Sequence, residues 1–219
     1  MNGVSAKKPD SEHPAADPPT EARSSPGKVP GSRIVLFATL AIVGGAADLI
    51  TKEAIFRWRG LPGQREIWWI VPEYLGIETA VNIGAVFGIG AGKGLFFAAF
   101  SVVAAVGIVL WLFWFQAAHS KWLTVALGLI GGGIIGNLYD RLGLWWEPGL
   151  PAEWKSGVRD WILFKIEGVP LFDPWPNFNI ADSLLVIGAL MLLYQSFFPE
   201  HQTAEAGQGS GAEQKGSTT

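Results

Sequence analysis

The sequence predicts an all-α membrane protein with four transmembrane helices, and three observations support that fold class. First, 49% of the 219 residues are hydrophobic, whereas only 16% are charged. Second, the apolar residues are concentrated in four runs that carry almost no charge. Third, each run is apolar around its whole circumference, whereas the helices of a soluble bundle need a polar outer face. Because a bilayer core about 30 Å thick requires roughly 20 apolar helical residues, we expect all four runs to span a membrane.

These runs define one membrane domain, predicted at residues 32–199, with a polar tail at each end. The expected helices cover about residues 33–52, 94–117, 122–141 and 179–198. The first 31 residues contain 6 of the 14 prolines among small and charged side chains, and the last residues combine Gly and Gln with charges. Such segments cannot bury enough apolar surface to become ordered. We therefore predict disordered tails at residues 1–31 and 200–219.

Two long connections lie between the runs, on the side opposite the tails. Residues 65–81 alternate apolar and polar side chains about Pro72 and Glu73, which predicts a small β-hairpin or sheet between helices 1 and 2. Residues 142–176, between helices 3 and 4, are rich in Trp, Pro and Gly and are predicted to be a loop insertion. Lys and Arg number 7 on the tail side and 9 on the loop side, so the positive-inside rule does not orient the protein.

The composition excludes several kinds of chemistry. The sequence has no cysteine, which removes thiolate nucleophiles and Cys-ligated zinc. Its three histidines lie far apart in the sequence and form no pair suited to metal binding or to activating a serine. The net charge of −3 is too small to indicate a nucleic-acid partner. We expect no metal and no cofactor, and carboxylates as the acid-base groups.

Eight polar residues interrupt the apolar sequence, and each ionisable group at membrane depth is a candidate for function. They are Asp48, Lys52, Asn82, Asn137, Asp140, Arg141, Asn179 and Asp182. In the third run, Gly128, Gly132 and Gly136 are spaced four residues apart, which lets another helix approach closely. Asp140 continues that line, so we expect these polar groups to point into the packed interior.

Each polar pair also has a simpler explanation. Asp48 and Lys52, four residues apart, fit an ion pair at a helix end. Asn179 and Asp182 fit the N-cap and N3 positions of a helix. The charges that end the third run fit interfacial side chains that extend to water. All of these groups, however, are expected at the same membrane face, and this coincidence favours a shared functional site.

Three sequence blocks at this face resemble those of a known family. In order between the four runs they are Asn82–Gly88 (NIGAVFG), Gly136–Arg141 (GNLYDR) and Phe178–Asp182 (FNIAD). With Asp48 and Lys52 upstream, they resemble the signature of lipoprotein signal peptidase, the type II signal peptidase, over roughly residues 33–198. The resemblance implies an intramembrane aspartyl endopeptidase of the bacterial inner membrane. Such an enzyme removes the signal peptide of a prolipoprotein before a cysteine that carries diacylglycerol.

The resemblance also implies two catalytic aspartates. The second of the family matches Asp182, and the best match for the first is Asp160. Here the sequence departs from the family, because Arg159 replaces a small apolar residue and the insertion at residues 142–158 lengthens the preceding gap. Asp173 is the alternative match, although it lacks the apolar and aromatic residues that should follow.

Further roles follow from the same resemblance. The residues expected to bind substrate or support the site are Asn82, Gly84, Asn137, Asp140, Arg141 and Asn179, and Asp48 and Lys52 would stabilise the fold beside it. Two carboxylates held close in a partly dry site share a proton near neutral pH, and either one can be the base. The implied partners are diacylglyceryl-modified prolipoproteins and membrane lipids. We expect a monomer with both tails in the cytoplasm and the active site toward the extracytoplasmic face.

Other classes of membrane protein explain fewer of these residues. A small transporter or channel also places charged groups inside a bundle, but it would more naturally show repeated halves or broken helices. The Gly-x-Gly-Asp sequence of another type of intramembrane aspartyl protease does not occur. A Ser-Lys protease would need residues such as Ser101 and Lys93 to meet, yet eight helical residues separate them by about 12 Å.

Overall fold

The computed structural model describes residues 28–84, 90–170 and 172–198 as four apolar helices with a small antiparallel sheet at one end. Most of the two predicted tails lies outside the described residues. The helices are α1 (Gly31–Arg59), α2 (Gly94–Val109), α3 (Lys121–Arg141) and α4 (Ile180–Phe197). A π-helical turn, Leu110–Trp114, extends α2, and a 3₁₀ turn, Ala117–His119, leads to α3. All four helices, α2 with its extension, are long and apolar enough to cross a membrane.

Helix α1 extends beyond the predicted end at residue 52 and continues to Arg59. Its last turns carry charges, and the Arg57 Nε donates to Glu53 Oε1 at 2.6 Å, one helical turn away. The helix ends at Gly60, whose φ of 81° lies in the region that glycine adopts without steric cost. The apolar pattern indicates only the part of the helix suited to lipid, so it missed this polar extension.

Helix α3 lies between α1 and α4 and is the most buried of the four. A Cβ added to Gly132 would lie 3.2 Å from the Gly44 Cα of α1, so the backbones of the two helices are nearly in contact there. A Cβ added to Gly133 would lie only 2.5 Å from the Ala181 carbonyl oxygen of α4. Two neighbouring lines of small residues on α3 therefore bring both helices close to it.

Large apolar side chains cover the outer surface of this helical unit. Examples with roughly half or more of their surface exposed are Val35, Ile42, Val43, Phe96, Phe100, Val103, Ile187 and Leu190. A protein surrounded by water rarely exposes so large a continuous apolar surface. The outer surface is therefore suited to the hydrocarbon of a bilayer, in agreement with the predicted fold class.

The sheet contains the strands β1 (Trp68–Val71), β2 (Leu75–Asn82), β3 (Val158–Phe164) and β4 (Trp175–Phe178), each antiparallel to its neighbour in the order β1-β2-β3-β4. Strands β1 and β2 form the hairpin expected between the first two helices. Its chain reversal includes Glu73, which adopts a φ of 65°.

The connection between α3 and α4 is more regular than the predicted loop insertion, because it contributes β3 and β4 to the sheet. Strand β3 pairs with β2 so that Ala80 lies opposite Asp160. Its first three residues, 158–160, are all buried. This strand therefore lacks the alternation of apolar and polar residues on which sequence-based strand prediction depends.

Candidate active site

Lys52 lies at the centre of a buried polar cluster between α1 and α3. Its Nζ lies 2.7 Å from Asp48 Oδ2 and 3.2 Å from Asp140 Oδ2. The same nitrogen donates a hydrogen bond of 3.0 Å to Asn137 Oδ1. All three charged side chains have no exposed surface. Because an unpaired buried charge costs several kcal/mol, these mutual contacts explain how the charges are tolerated among apolar helices.

Asp48 also fixes the beginning of α4. Its Oδ1 accepts a hydrogen bond of 2.9 Å from the Ala181 backbone N–H. The carboxylate lies directly against Gly136 of α3, and any side chain there would collide with it. The predicted pair of Asp48 and Lys52 is therefore more than a terminal ion pair, because it joins α1, α3 and α4.

Asn179 connects the two predicted catalytic aspartates. Its Nδ2 donates to Asp160 Oδ1 at 2.6 Å and to Asn137 Oδ1 at 3.1 Å, while Asn137 Nδ2 donates to Asp182 Oδ1 at 2.8 Å. Strand β3 provides Asp160, and the first turn of α4 provides Asp182. One continuous hydrogen-bond network thus includes both carboxylates.

The capping explanation for Asn179 and Asp182 is also correct. The Asn179 Oδ1 accepts from the Asp182 backbone N–H at 2.9 Å, and the Asn179 N–H donates to Asp182 Oδ2 at 3.2 Å. This reciprocal arrangement is a capping box. It leaves the second oxygen of Asp182 to Asn137 and the amide of Asn179 to Asp160, so the helix cap and the polar site use the same side chains.

The environment of Asp160 favours its neutral form. Its side chain is 1% exposed, and this burial raises the pKa of Asp160 well above its usual range. The negative charge of Asp182 raises the pKa further, whereas Lys52 and hydrogen bonds from Asn179 and Asn82 lower it. A carboxyl group with a raised pKa and a second carboxylate beside it are together suited to acid-base chemistry.

Arg141 holds the segment after β2 against the end of α3. Its Nη1 donates to the backbone oxygens of Asn82 at 3.2 Å and Ser156 at 3.0 Å, and its Nη2 donates to the Gly84 oxygen. The Asn82 Oδ1 accepts from the Gly84 N–H at 3.0 Å. Arg141 is only 7% exposed. The charges that end α3 therefore do not extend to water, contrary to the interfacial explanation. The later part of the first sequence block, residues 85–88, lies outside the described residues.

Arg159 is a site residue whose partners the sequence did not indicate. Its Nη2 and backbone N–H each lie 2.9 Å from an Asp140 carboxylate oxygen, and its Nη1 lies 3.2 Å from Glu53 Oε2. The Trp145 ring, from the insertion, lies with its centroid 5.3 Å from the guanidinium. Two departures from the family pattern, this arginine and the longer insertion, thus contact each other. The only signal in the sequence was a second charge beside Asp160 in an apolar segment.

Asp173 lies away from this cluster, in the turn between β3 and β4. Its Oδ1 is 3.6 Å from Lys165 Nζ, and its Oδ2 accepts from the Gly168 N–H at 3.1 Å. Its side chain is 30% exposed. The geometry therefore favours Asp160 over Asp173 as the partner of Asp182.

Comparisons with known proteins agree with this arrangement. The family model for signal peptidase (SPase) II matches residues 40–198. The chain belongs to this family. It is 63% identical to the lipoprotein signal peptidase of Rhodopirellula baltica over 88% of this chain and 84% of that one, and 32% identical to the lipoprotein signal peptidase of Ectopseudomonas mendocina over 80% and 93%. Membership of the signal peptidase II family makes the chain a protease of a bacterial membrane.

Two solved structures of bacterial membrane enzymes are similar in fold to this signal peptidase II. One superimposes with a TM-score of 0.60 at 26% identity, covering 81% of this chain and 94% of the other. The second has a TM-score of 0.58, also at 26% identity, and covers 80% and 97%. The four helices and the sheet thus belong to a fold already observed in membrane enzymes.

Proposed function

We propose that Asp160 and Asp182 are the catalytic pair with which this aspartic endopeptidase removes the signal peptide from prolipoproteins, cutting before the diacylglyceryl-modified cysteine. The observation that carries the proposal is the network through Asn179 and Asn137, which holds both carboxylates at one end of the membrane helices. Family membership provides the reaction and the class of substrate. The assignment of residues rests on this geometry and on the sequence blocks.

In the proposed reaction the two carboxyl groups carry one proton between them. The ionised member takes a proton from a water molecule, whose oxygen attacks the scissile carbonyl carbon. The protonated member donates a hydrogen bond to the carbonyl oxygen, which stabilises the developing negative charge. When the C–N bond breaks, the carboxyl group that took a proton from water gives a proton to the departing amine of the cysteine. Either aspartate can be the protonated member before the attack, because the two carboxyl groups titrate as a pair.

The surrounding polar residues act as positioning groups in this proposal. Asn137 and Asn179 fix the orientations of the two aspartates through the hydrogen bonds described above. Lys52 pairs with Asp48 and Asp140, and Arg159 provides a second cation for Asp140. Arg141, Asn82 and Gly84 hold the segment that follows β2 beside the pair.

The proposed orientation places both tails in the cytoplasm and the aspartates toward the extracytoplasmic face. With four spans, the start of α1 and the end of α4 lie on one side, and the sheet lies on the other. A lipid-modified substrate can then reach the pair from the bilayer, between helices whose outer surfaces are apolar. One chain contributes both aspartates, which supports a monomer as the working unit.

The test is cleavage of a diacylglyceryl-modified prolipoprotein by the purified protein and by three variants. Asp160→Asn and Asp182→Asn should each lower kcat by at least about 10³-fold, because neither amide can exchange the required proton. Asp173→Asn is the matched control and should retain wild-type activity. Full activity in either of the first two variants would remove that residue from the pair. Equal cleavage of a substrate without diacylglycerol would contradict the proposed specificity.

A further inference from the structure

A groove of about 490 Å³ begins at Asp160 and continues across the sheet. Besides Asp160, its lining includes Glu78, Ala80 and Asn82 of β2, Asn177 of β4 and Pro62 from the segment after α1. The floor is therefore β2 and its neighbours, and one wall is the segment after α1. The groove therefore reaches one member of the proposed catalytic pair, Asp160.

The pairing of β2 with β3 is irregular beside the groove. The register of the two strands shifts between Ile77 and Ala80, so Glu78 lies in an irregular part of β2. Asn177 of β4 bridges this irregularity, because its Nδ2 donates to the Glu78 backbone oxygen at 3.2 Å and to Glu78 Oε2 at 3.0 Å. A neutral amide thus holds a carboxylate in the groove without neutralising its charge.

Glu78 makes the lining of the groove negative. Asp160, the other titratable lining residue, lies in surroundings that favour its neutral form, and neither lysine nor arginine is among the described lining residues. Within the part of the chain that the structure describes, no cationic nitrogen lies within ion-pair distance of the Glu78 carboxylate, whereas Glu53 has Arg57 and Arg159. Such a surface favours a ligand that brings positive charge or hydrogen-bond donors.

The position of the groove indicates which part of a substrate enters it. The apolar core of a signal peptide belongs among the spanning helices, since it is itself long and apolar. The residues after the scissile bond leave the membrane, and the sheet lies at that end of the helices. Ala80 is opposite Asp160, and Glu78 is two residues further along β2, about 7 Å away. An extended peptide covers the same distance in about two residues.

We propose that this groove binds the first residues of the mature lipoprotein, and that Glu78 favours a basic side chain at the second or third position of the mature sequence. The inference rests on the proposed function, because it assigns the cysteine side of the substrate to the groove. Glu78 is a specificity-determining residue in this account and takes no part in the chemistry.

The experiment compares kcat/KM in a neutral detergent for three diacylglyceryl-modified prolipoproteins that differ only in carrying Lys, Gln or Glu at those two positions. The wild type should cleave the Lys substrate about threefold to tenfold better than the Gln substrate, and the Glu substrate least well. In Glu78→Gln the ratio of Lys to Gln should fall to about one. In Glu78→Lys the order should reverse.

Glu147→Gln is the matched control, because it removes the same charge from an exposed position outside the groove lining. It should keep the wild-type ratios. A wild type that cleaves all three substrates equally, or ratios that stay unchanged in both Glu78 variants, would overturn the groove assignment and leave the catalytic proposal standing. A wild type that cleaves none of the three would overturn the proposed function and this inference with it.

Discussion

The side-chain amide of Asn179 lies 2.6 Å from the Asp160 carboxylate, while the side-chain oxygen of the same residue caps the helix that carries Asp182. A single residue thus sets the position of one aspartate from β3 and the other from α4. Removing it affects the local stability of α4 and the geometry of the proposed catalytic pair, and two substitutions separate these effects.

Asn179→Ala should lose both the cap of α4 and the hydrogen bond to Asp160. Loss of the cap and of the buried hydrogen bonds should lower the free energy of unfolding by about 1–3 kcal/mol. Asn179→Ser keeps a good N-cap and adds no charge but lacks the amide that donates to Asp160 and Asn137, so its activity should fall about as far while more of the stability is retained. Thermal unfolding and kcat, measured on both variants, check this. Equal stability of the two variants would show that the cap contributes little.

Above about pH 4, Asp160→Asn should make the protein more stable, although the catalytic proposal expects this variant to lose cleavage. Burial raises the pKa of Asp160 in the folded state, so the folded protein holds this proton more tightly than the unfolded chain does. The wild type therefore loses stability as pH rises from the unfolded pKa near 4 through the raised folded pKa. The Asn side chain of the variant does not ionise in this pH range, so it contributes no such loss. The variant's advantage in thermal unfolding temperature should grow over that range and then become constant, and a constant difference at all pH values would contradict the assignment.

Lys52→Met should be severely destabilising. It leaves Asp48 with only the Ala181 N–H among its described polar contacts and removes one partner of Asp140. Loss of one member of a buried charge cluster typically costs about 3–5 kcal/mol. Arg57→Met is the control, because the Arg57 side chain is 80% exposed and its pair with Glu53 should contribute less than about 1 kcal/mol. Similar losses in the two variants, measured by thermal unfolding, would contradict the buried role of Lys52.

Gly133→Ala should lower both stability and activity. The added methyl group would lie 2.5 Å from the Ala181 carbonyl oxygen, so the first turn of α4 must move, and Asp182 moves with it. Overpacking of this kind costs about 1–3 kcal/mol. The matched control is Gly107→Ala in α2, where nothing lies within 4 Å of the added atom. That variant should be neutral or up to about 1 kcal/mol more stable. A tolerated Gly133→Ala would mean that α4 is free to shift without consequence.

The sequence alone allowed prediction of the helices and most of the polar cluster, because both are marked by differences in polarity between residues that are close in the sequence. Charge-free runs mark the spans, and a polar residue inside such a run is conspicuous, as at Asp48 and Asn137. The first hairpin was predictable because apolar and polar side chains alternate in the sequence on both sides of Pro72 and Glu73. Gly128, Gly132 and Gly136 predicted a close helix contact by their spacing, and Leu40, Gly44 and Asp48 of α1 lie there.

Features that depend on pairing between distant segments could not be predicted in this way. Strand β3 is buried at its start by partners from α3 and α1, so its hydrophobic pattern shows no alternation. The contacts of Arg159 with Asp140 and Glu53 join residues separated by 19 and 106 positions. No local rule connects them. The polar end of α1 was missed because nothing in its composition distinguishes a charged helical extension from a loop.

The capping box also has an evolutionary consequence. Asp182 is the third residue of α4 and also a member of the proposed catalytic pair. Asn179 contacts it as the N-cap residue of the helix and is also hydrogen-bonded to the other member, Asp160. Shifting the aspartate by one residue would rotate its side chain by about 100° around the helix and separate it from the cap at the same time. A lineage of this enzyme can therefore lose the site by a single substitution, but moving it along the helix would require several simultaneous changes.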